Sequence, residues 1–249
     1  MIARIKFTKT GSSKFIGHLD LLRYFQKAFR RARLDMTYSQ GFNPHPLITF
    51  AAPLGVGLTS EGEYLDLTLN SCDEEELMID KINKAMANNI RVTDFSILPD
   101  DSKNAMSVVA AADYIIRLKD GYDFLSIDEF KNKFLDFYSQ EKINIIKKTK
   151  KSEIEMDLKA LIYKIDFINP MGLEENKSEE KNTSRLEVYL QLATGSVNNI
   201  KTELVLETFC KYANVAFNEY AFQTHRLDLY ANISKDDNRK LVPLNKMYS

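Results

Sequence analysis

Apolar and polar residues alternate singly from residue 2, with Ala3, Ile5 and Phe7 set against Ile2, Arg4 and Lys6, and a period of two predicts a strand. The period then changes. In "LDLLRYFQKAFRRARL", residues 19–34, apolar side chains recur every three or four positions, which predicts a helix whose Leu22, Phe25, Phe29 and Ala32 face a sheet. "LITFAA" and "EYLDLTL" return to strand character, with Leu65, Leu67 and Leu69 sharing one face of the second. "DEEELMIDKINKAMA" opens on acids that suit the positive end of a helix dipole. "IRVTDFSIL" closes the run as a strand, and Pro99 with Asp100, Asp101 and Ser102 breaks it.

The same order is then repeated without evident sequence identity. "DYIIRL" predicts a strand, and "SIDEFKNKFLDFYSQ" a helix with Phe130, Phe134 and Phe137 on one side. "KINIIKK" and "SRLEVYLQL" predict strands, and "NIKTELVLETFCKYA" a helix with Leu204, Thr208 and Cys210 towards its buried side. "FNEYAFQTHRLDLYANI" predicts the last strand. Two βαββαβ runs predict an α+β protein of two tandem ferredoxin-like sandwiches, an N-terminal domain over residues 1–104 and a C-terminal domain over residues 105–249. Residues 152–168 read either as a strand with a short helix capped at Asp157 or as one continuous helix. Residues 171–184, "MGLEENKSEEKNTS", hold almost nothing to bury and predict a mobile loop.

Composition changes this picture little. Of the 249 residues 44% are hydrophobic and 28% charged, ordinary for a globular protein. No run approaches the ~18 apolar residues of a membrane span, and the N-terminal stretch lacks the apolar core of a signal peptide. Cys72 and Cys210 are too few and too far apart for a disulfide framework or a zinc knuckle. The expectation is a cytoplasmic protein with no membrane partner.

Charge changes it more. The net charge of −1 conceals nine Lys and Arg against Asp20 and Asp35 in residues 1–50, a balance of +7, with −8 over the rest. On the wheel of residues 19–34, Arg23, Lys27, Arg30, Arg31 and Arg33 occupy the arc opposite the apolar residues, with Leu19 the one stray. A solvated face is the plain alternative, but such faces usually mix signs, as "DEEELMIDKINKAMA" does. Like charges at i,i+4, such as Arg23 and Lys27, cost a little helix stability. The five cations are therefore candidates for binding a polyanion, RNA in particular. Lys142, Lys147, Lys148, Lys150 and Lys151 form a second basic cluster that extends this surface only if the two domains dock that way.

After the basic helix comes "YSQGFNPHP", residues 38–46. Pro44 and Pro46 pin their own φ and hold Asn43 and His45 extended, while Gly41 permits a turn a side chain would obstruct. Tyr38, Gln40, Gly41, Asn43 and His45 are candidates for the edge of a binding site; the competing reading is a stiff corner with His45 as packing. His18 and His45 are the candidates for an acid–base pair in RNA cleavage, although His18 also reads as a structural cap. His225 adds a third imidazole, and no spacing among the three marks a metal site. No phosphate-binding GxxxxGK[ST] loop, HExxH motif or three-cysteine cluster for an iron–sulfur centre occurs. "GVGLTSEG" joins strand to strand and reads as a connecting loop.

At Gly17, His18, "LDLLR", "YSQGFNPHP" and "PLGVGLTSEGEYLDL", and more loosely at "KKSEIEMDLKALI", "GSVNNIKTELVLE" and "HRLDLY", the chain resembles the radical SAM-linked domain family, bacterial proteins found beside or fused to a radical SAM protein. The resemblance implies a radical SAM protein as partner, and places the iron–sulfur cluster and S-adenosylmethionine in that partner, with no cofactor in this chain. Three readings follow. One is a non-catalytic RNA-binding or substrate-presenting partner of a radical SAM enzyme. Another is an RNA-cleaving or RNA-modifying enzyme using His18 or His45, by fold-level analogy with CRISPR RNA-processing endonucleases, whose glycine-rich C-terminal loop is missing here. The last is a protein–protein adaptor without nucleic acid. The first is the expectation carried forward.

Overall fold

A computed structural model describes residues 1–122, 124–148, 153–168, 187–196, 198–234 and 238–248. The protein is mixed α+β, and its chain falls into two compact units that interleave in sequence. Unit 1 comprises Met1–Ala112, Thr194–Val197 and His225–Ser249; unit 2 comprises Asp113–Ala193 and Asn198–Thr224. This differs from a single division after residue 104, because the last long strand carries the chain from unit 2 back into unit 1.

In unit 1, β1 (Ile2–Lys9) lies between β3 (Thr59–Thr68) and β4 (Ile90–Ile97), antiparallel to both. The short β2 (Ile48–Phe50) pairs with β3 from Ile48↔Leu67 to Phe50↔Leu65. Strand order is thus β4-β1-β3-β2. At its other end β3 runs parallel to β10 (Phe222–Asn232), with His225 opposite Thr59 and Arg226 opposite Ser60, and β11 (Leu241–Pro243) pairs antiparallel with β10. Two helices, α1 (His18–Arg31) and α2 (Glu75–Lys84), connect the strands. Ala3, Ile5 and Phe7 of β1 and Leu65 and Leu67 of β3 are fully buried, in one core with Leu21, Phe25 and Phe29 of α1 and Met78 and Ile82 of α2. Phe25 meets Phe7 edge-on at 4.7 Å and Phe50 at 5.8 Å, contacts worth about 0.5–1.5 kcal/mol each beyond their burial.

The opposite face of this sheet is not in water. Arg4 is buried, its guanidinium bound to both oxygens of Asp66 (2.8 and 3.0 Å) and to the carbonyls of Leu244 and Lys103. The Asp66 carboxylate also accepts the Ala105 N–H at 2.6 Å, at the start of the one-turn α3 (Ala105–Val108). Lys6 pairs with Asp228 at 2.7 Å, and Asp228 accepts the Tyr64 hydroxyl at 2.7 Å. Gly62 makes this approach of β10 possible: a Cβ there would stand 2.4 Å from the Leu227 carbonyl oxygen and 2.6 Å from the Asp228 Cα.

Unit 2 contains β5 (Val109–Leu118) from Asp113 on, α4 (Ile127–Ser139), β6 (Asn144–Lys148), β7 (Glu153–Asp157), β8 (Ile162–Ile168), β9 (Glu187–Ala193) and α5 (Thr202–Ala213). Ser126 and Glu129 form a capping box that starts α4. Phe130, Phe134 and Phe137 are buried as the periodicity predicts, against Phe209 of α5 at 4.8, 4.7 and 5.8 Å. On α5 the buried positions are Thr202, Val205, Leu206, Phe209, Cys210 and Ala213, so of the three residues expected there only Cys210 is fully inside. Thr208 instead donates its hydroxyl to the Leu204 carbonyl one turn back. From residue 153 the first of the two expected forms, a strand and a short helix capped at Asp157, holds as far as Leu161, and what neither form includes is the strand that follows. The stretch is β7, a 3-10 turn whose Lys159 N–H is capped by Asp157, and a further strand, β8, antiparallel to β9. β6 and β7 form a two-stranded sheet of their own. The loop expected at 171–184 lies outside the described residues.

Candidate nucleic-acid interface

α1 forms because its apolar residues fall on one side, and its 14 residues give a rod about 21 Å long. Leu21, Phe25, Ala28 and Phe29 are its buried stripe. Arg23, Lys27, Arg30, Arg31 and Arg33 are all exposed, as the wheel predicts. The helix stops at Ala32, and Arg33 takes a left-handed φ of 56° that turns the chain away.

These cations do have some local roles. Arg23 pairs with Asp20 one turn earlier, both about 70% exposed, which is worth little in water. Arg30 and Arg31 sit in the last turn, where positive charge suits the helix dipole, and Arg31 donates to the Ala85 carbonyl at 2.7 Å. Among the described residues no carboxylate lies within ion-pair distance of Lys27, Arg30, Arg31 or Arg33. The charge asymmetry of residues 1–50 is smaller in the fold than in the sequence. Arg4 is matched by Asp66, Lys6 by Asp228, and Lys9 is buried beside the Glu63–Arg226 pair, so three of the nine cations turn inward. Burial pushes the Lys9 amine below its usual range, Glu63 opposing this, and its Nζ donates to the Ile16 carbonyl at 3.0 Å. What remains outside is concentrated on α1 and its flanks.

The YSQGFNPHP loop is a tight, self-braced turn. Tyr38 bridges to Pro46, and the Ser39 N–H donates to the His45 carbonyl. The Ser39 hydroxyl accepts from the His45 N–H and shares a 2.9 Å hydrogen bond with His45 Nδ1. Gly41 has φ +115°, which only glycine adopts easily, with open space where a Cβ would go. Tyr38, Gln40, Asn43 and His45 are exposed, so the loop presents polar groups outward while His45 is held by Ser39. His18 is the first residue of α1; its ring packs edge-on to Phe50 at 5.1 Å and its buried Nδ1 makes no hydrogen bond. No hydrogen bond or ring contact joins His18 to His45 among the described residues. His225 shares a 2.7 Å hydrogen bond with Thr59 and faces Glu61 at 3.6 Å.

The sequence pattern passed over a different set. Phe15 and Leu19 are 67% and 66% exposed and Val56 is 60% exposed, while Phe42, inside the loop, is fully exposed. Lys14 Nζ stands 5.2 Å from the centre of the Phe15 ring. Leu19, the stray on the wheel, was the one of these visible in the sequence. Of the second basic cluster, Lys142 is exposed in unit 2, the backbone of Lys147 and Lys148 lies on β6, and Lys150 and Lys151 fall outside the described residues. Among the described residues no group of three His, Cys, Asp or Glu gathers as a metal site, and no helix is long and apolar enough to cross a membrane.

Two solved structures similar to this chain come from crystal structures of a Cbf5-Nop10-Gar1 complex and of the archaeal box H/ACA sRNP Nop10-Cbf5 complex. Identity is 8% in both, and the TM-scores are 0.45 and 0.44. The matches cover 91% and 90% of this chain but 48% and 46% of those chains, so it spans about half their length. Comparison with curated proteins finds no match. The model of a family described as an uncharacterized protein conserved in bacteria (DUF2344) matches residues 3–202, most of the chain, and the protein belongs to that family.

Proposed function

We propose that the protein binds RNA on the outer face of α1 and acts as a non-catalytic, substrate-presenting partner of a radical SAM enzyme in the cytoplasm. The observation that carries the RNA reading is the strongly cationic face: five exposed cations on and just after one helix, against one carboxylate, Asp20, paired with Arg23. Arginine forks suit phosphate oxygens, and such contacts position RNA without reading its bases. Tyr38, Gln40, Gly41, Asn43 and His45 would border this face as a rigid loop. The radical SAM partner rests on the sequence resemblance, and any iron–sulfur cluster and S-adenosylmethionine belong to that partner. We also read both units as ferredoxin-like domains, from the βαββαβ order of elements in the sequence, and the order β4-β1-β3-β2 in unit 1 supports this.

The test is to incubate the purified protein with tRNA and ribosomal RNA fragments, then recover the RNA and examine its length. Bound, intact RNA is the expected result. Cleavage that disappears in His18→Ala or His45→Ala would overturn the non-catalytic reading in favour of a nuclease.

A further inference from the structure

We infer that the RNA this surface takes is single-stranded, with unpaired bases stacking on Phe15 and Phe42 while the α1 cations hold the phosphates; the inference rests on the RNA reading above. The elements that carry the two aromatic rings are anchored at opposite ends of one strand. Phe15 closes the 3-10 turn Gly11–Phe15, which is tied to the start of β3: Lys9 pairs with Ser60 and reaches the Ile16 carbonyl, and the Gly57 N–H donates to the Lys14 carbonyl. The loop bearing Phe42 is tied to the other end, through Met36↔Leu69, Thr37 N–H to the Thr68 carbonyl and Thr68 N–H to the Leu47 carbonyl. From Ser60 to Thr68 is about 26 Å along a strand. α1 begins three residues after Phe15 and ends shortly before Met36, so it runs between the anchors of the two ring-bearing elements.

Both rings are exposed although each element that carries it is well fixed, so neither is exposed through looseness of the chain. Gly41, with φ +115°, aims the chain at the Phe42 position, and the Ser39–His45 bonds brace the loop beneath it. Phe15 sits with Lys14 over its ring, and on α1 Leu19 is followed one helical turn later by Arg23. Aromatic faces interleaved with cations along a groove suit single strands, whose bases have free faces. In an A-form duplex every base face is already covered by its neighbours, and such a protein gains only the phosphate contacts. Two exposed aromatic rings beside a cationic helix therefore favour unpaired RNA over duplex RNA.

The sequence contains no tryptophan, which gives a direct probe. Phe15→Trp and Phe42→Trp each create a sole tryptophan whose fluorescence is quenched when a base stacks on it. The expected result is quenching by oligouridylate or oligoadenylate of about 12 nucleotides and none by a blunt duplex of equal length. Phe15→Ala and Phe42→Ala, at exposed positions, should leave the melting curve unchanged. Each should lower single-strand affinity on the order of tenfold, with the salt dependence of binding unaltered because no charge is removed. Duplex bound as tightly as single strand, or single strand bound without quenching and unaffected by either alanine, would overturn the inference. If Arg23→Ala with Lys27→Ala still abolished binding in that case, the RNA reading would survive without it. Binding of neither RNA would overturn both.

Discussion

Arg4 and Asp66 stand directly opposite each other on β1 and β3 and join through two parallel hydrogen bonds, both side chains buried. This pair occupies the face of the sheet opposite Ala3, Ile5 and Phe7. Around it the carbonyls of Leu244 and Lys103 accept two further N–H groups of Arg4, and the Ala105 N–H donates to Asp66. Removing one partner leaves a buried charge without its counter-ion. Asp66→Ala should destabilise unit 1 by about 3–5 kcal/mol, measured as a shift in urea midpoint, whereas replacing both residues with apolar ones of similar volume should cost much less.

Gly62 gives a second check on the same face. With the Leu227 carbonyl oxygen 2.4 Å from where a Cβ would sit, Gly62→Ala must push β10 backbone away from β3. Backbone yields less readily than a flexible side-chain tip, so a loss of about 1–3 kcal/mol or more is expected. Gly41→Ala, with open space around it, should show only the cost of its positive φ.

The pH dependence of unit 2 carries a definite sign. The Ser126 side chain and N–H hold the Glu129 carboxyl below its ordinary value of 4.5. A carboxyl depressed in the fold binds fewer protons there than in the unfolded chain, so its contribution is complete above pH ~4.5 and is lost as pH falls through the lower folded value. Glu129→Gln should remove this part of the acid sensitivity, read from melting temperatures between pH 3 and 6; an unchanged pH profile would contradict the capping role.

The two thiols should separate in a labelling experiment. Cys210 is fully buried and burial pushes its thiol up to about 11. Cys72 is half-buried, its sulfur 3.6 Å from that of Met1. At pH 8 the native protein should release one equivalent of chromophore from a disulfide reagent quickly, and the second only on unfolding.

How far the fold was legible can be read from β1. Its alternation marked Ala3, Ile5 and Phe7 as the core face correctly, because that face contacts helices of the same stretch of chain. The same alternation put Arg4 and Lys6 on the other face and said nothing of what covers it. Their partners Asp66 and Asp228 come from 62 and 222 residues away, and a local period carries no information about such pairing. The net-charge reading failed at the same point, counting as available two cations that distant carboxylates occupy and a third, Lys9, that is buried. α1 and its cationic arc were legible because amphipathicity is a local property. β8 was not, since residues 153–168 carry strand and helix periods together and only antiparallel pairing with β9 decides between them. Phe15 and Phe42 escaped notice because an aromatic residue beside a helix or in a proline-rich loop looks like core until the fold leaves it outside.

The most direct test of RNA binding on α1 is a salt series with single-stranded RNA, comparing the native protein with one carrying Arg23→Ala, Lys27→Ala, Arg30→Ala and Arg31→Ala. Each phosphate contact on a single strand contributes about −0.7 to the slope of log K against log salt. The native protein should bind with a steep slope, and the variant should bind weakly with a slope reduced by roughly 3. Equal affinity and equal slope for the two proteins would contradict the assignment of α1 as the RNA-binding face.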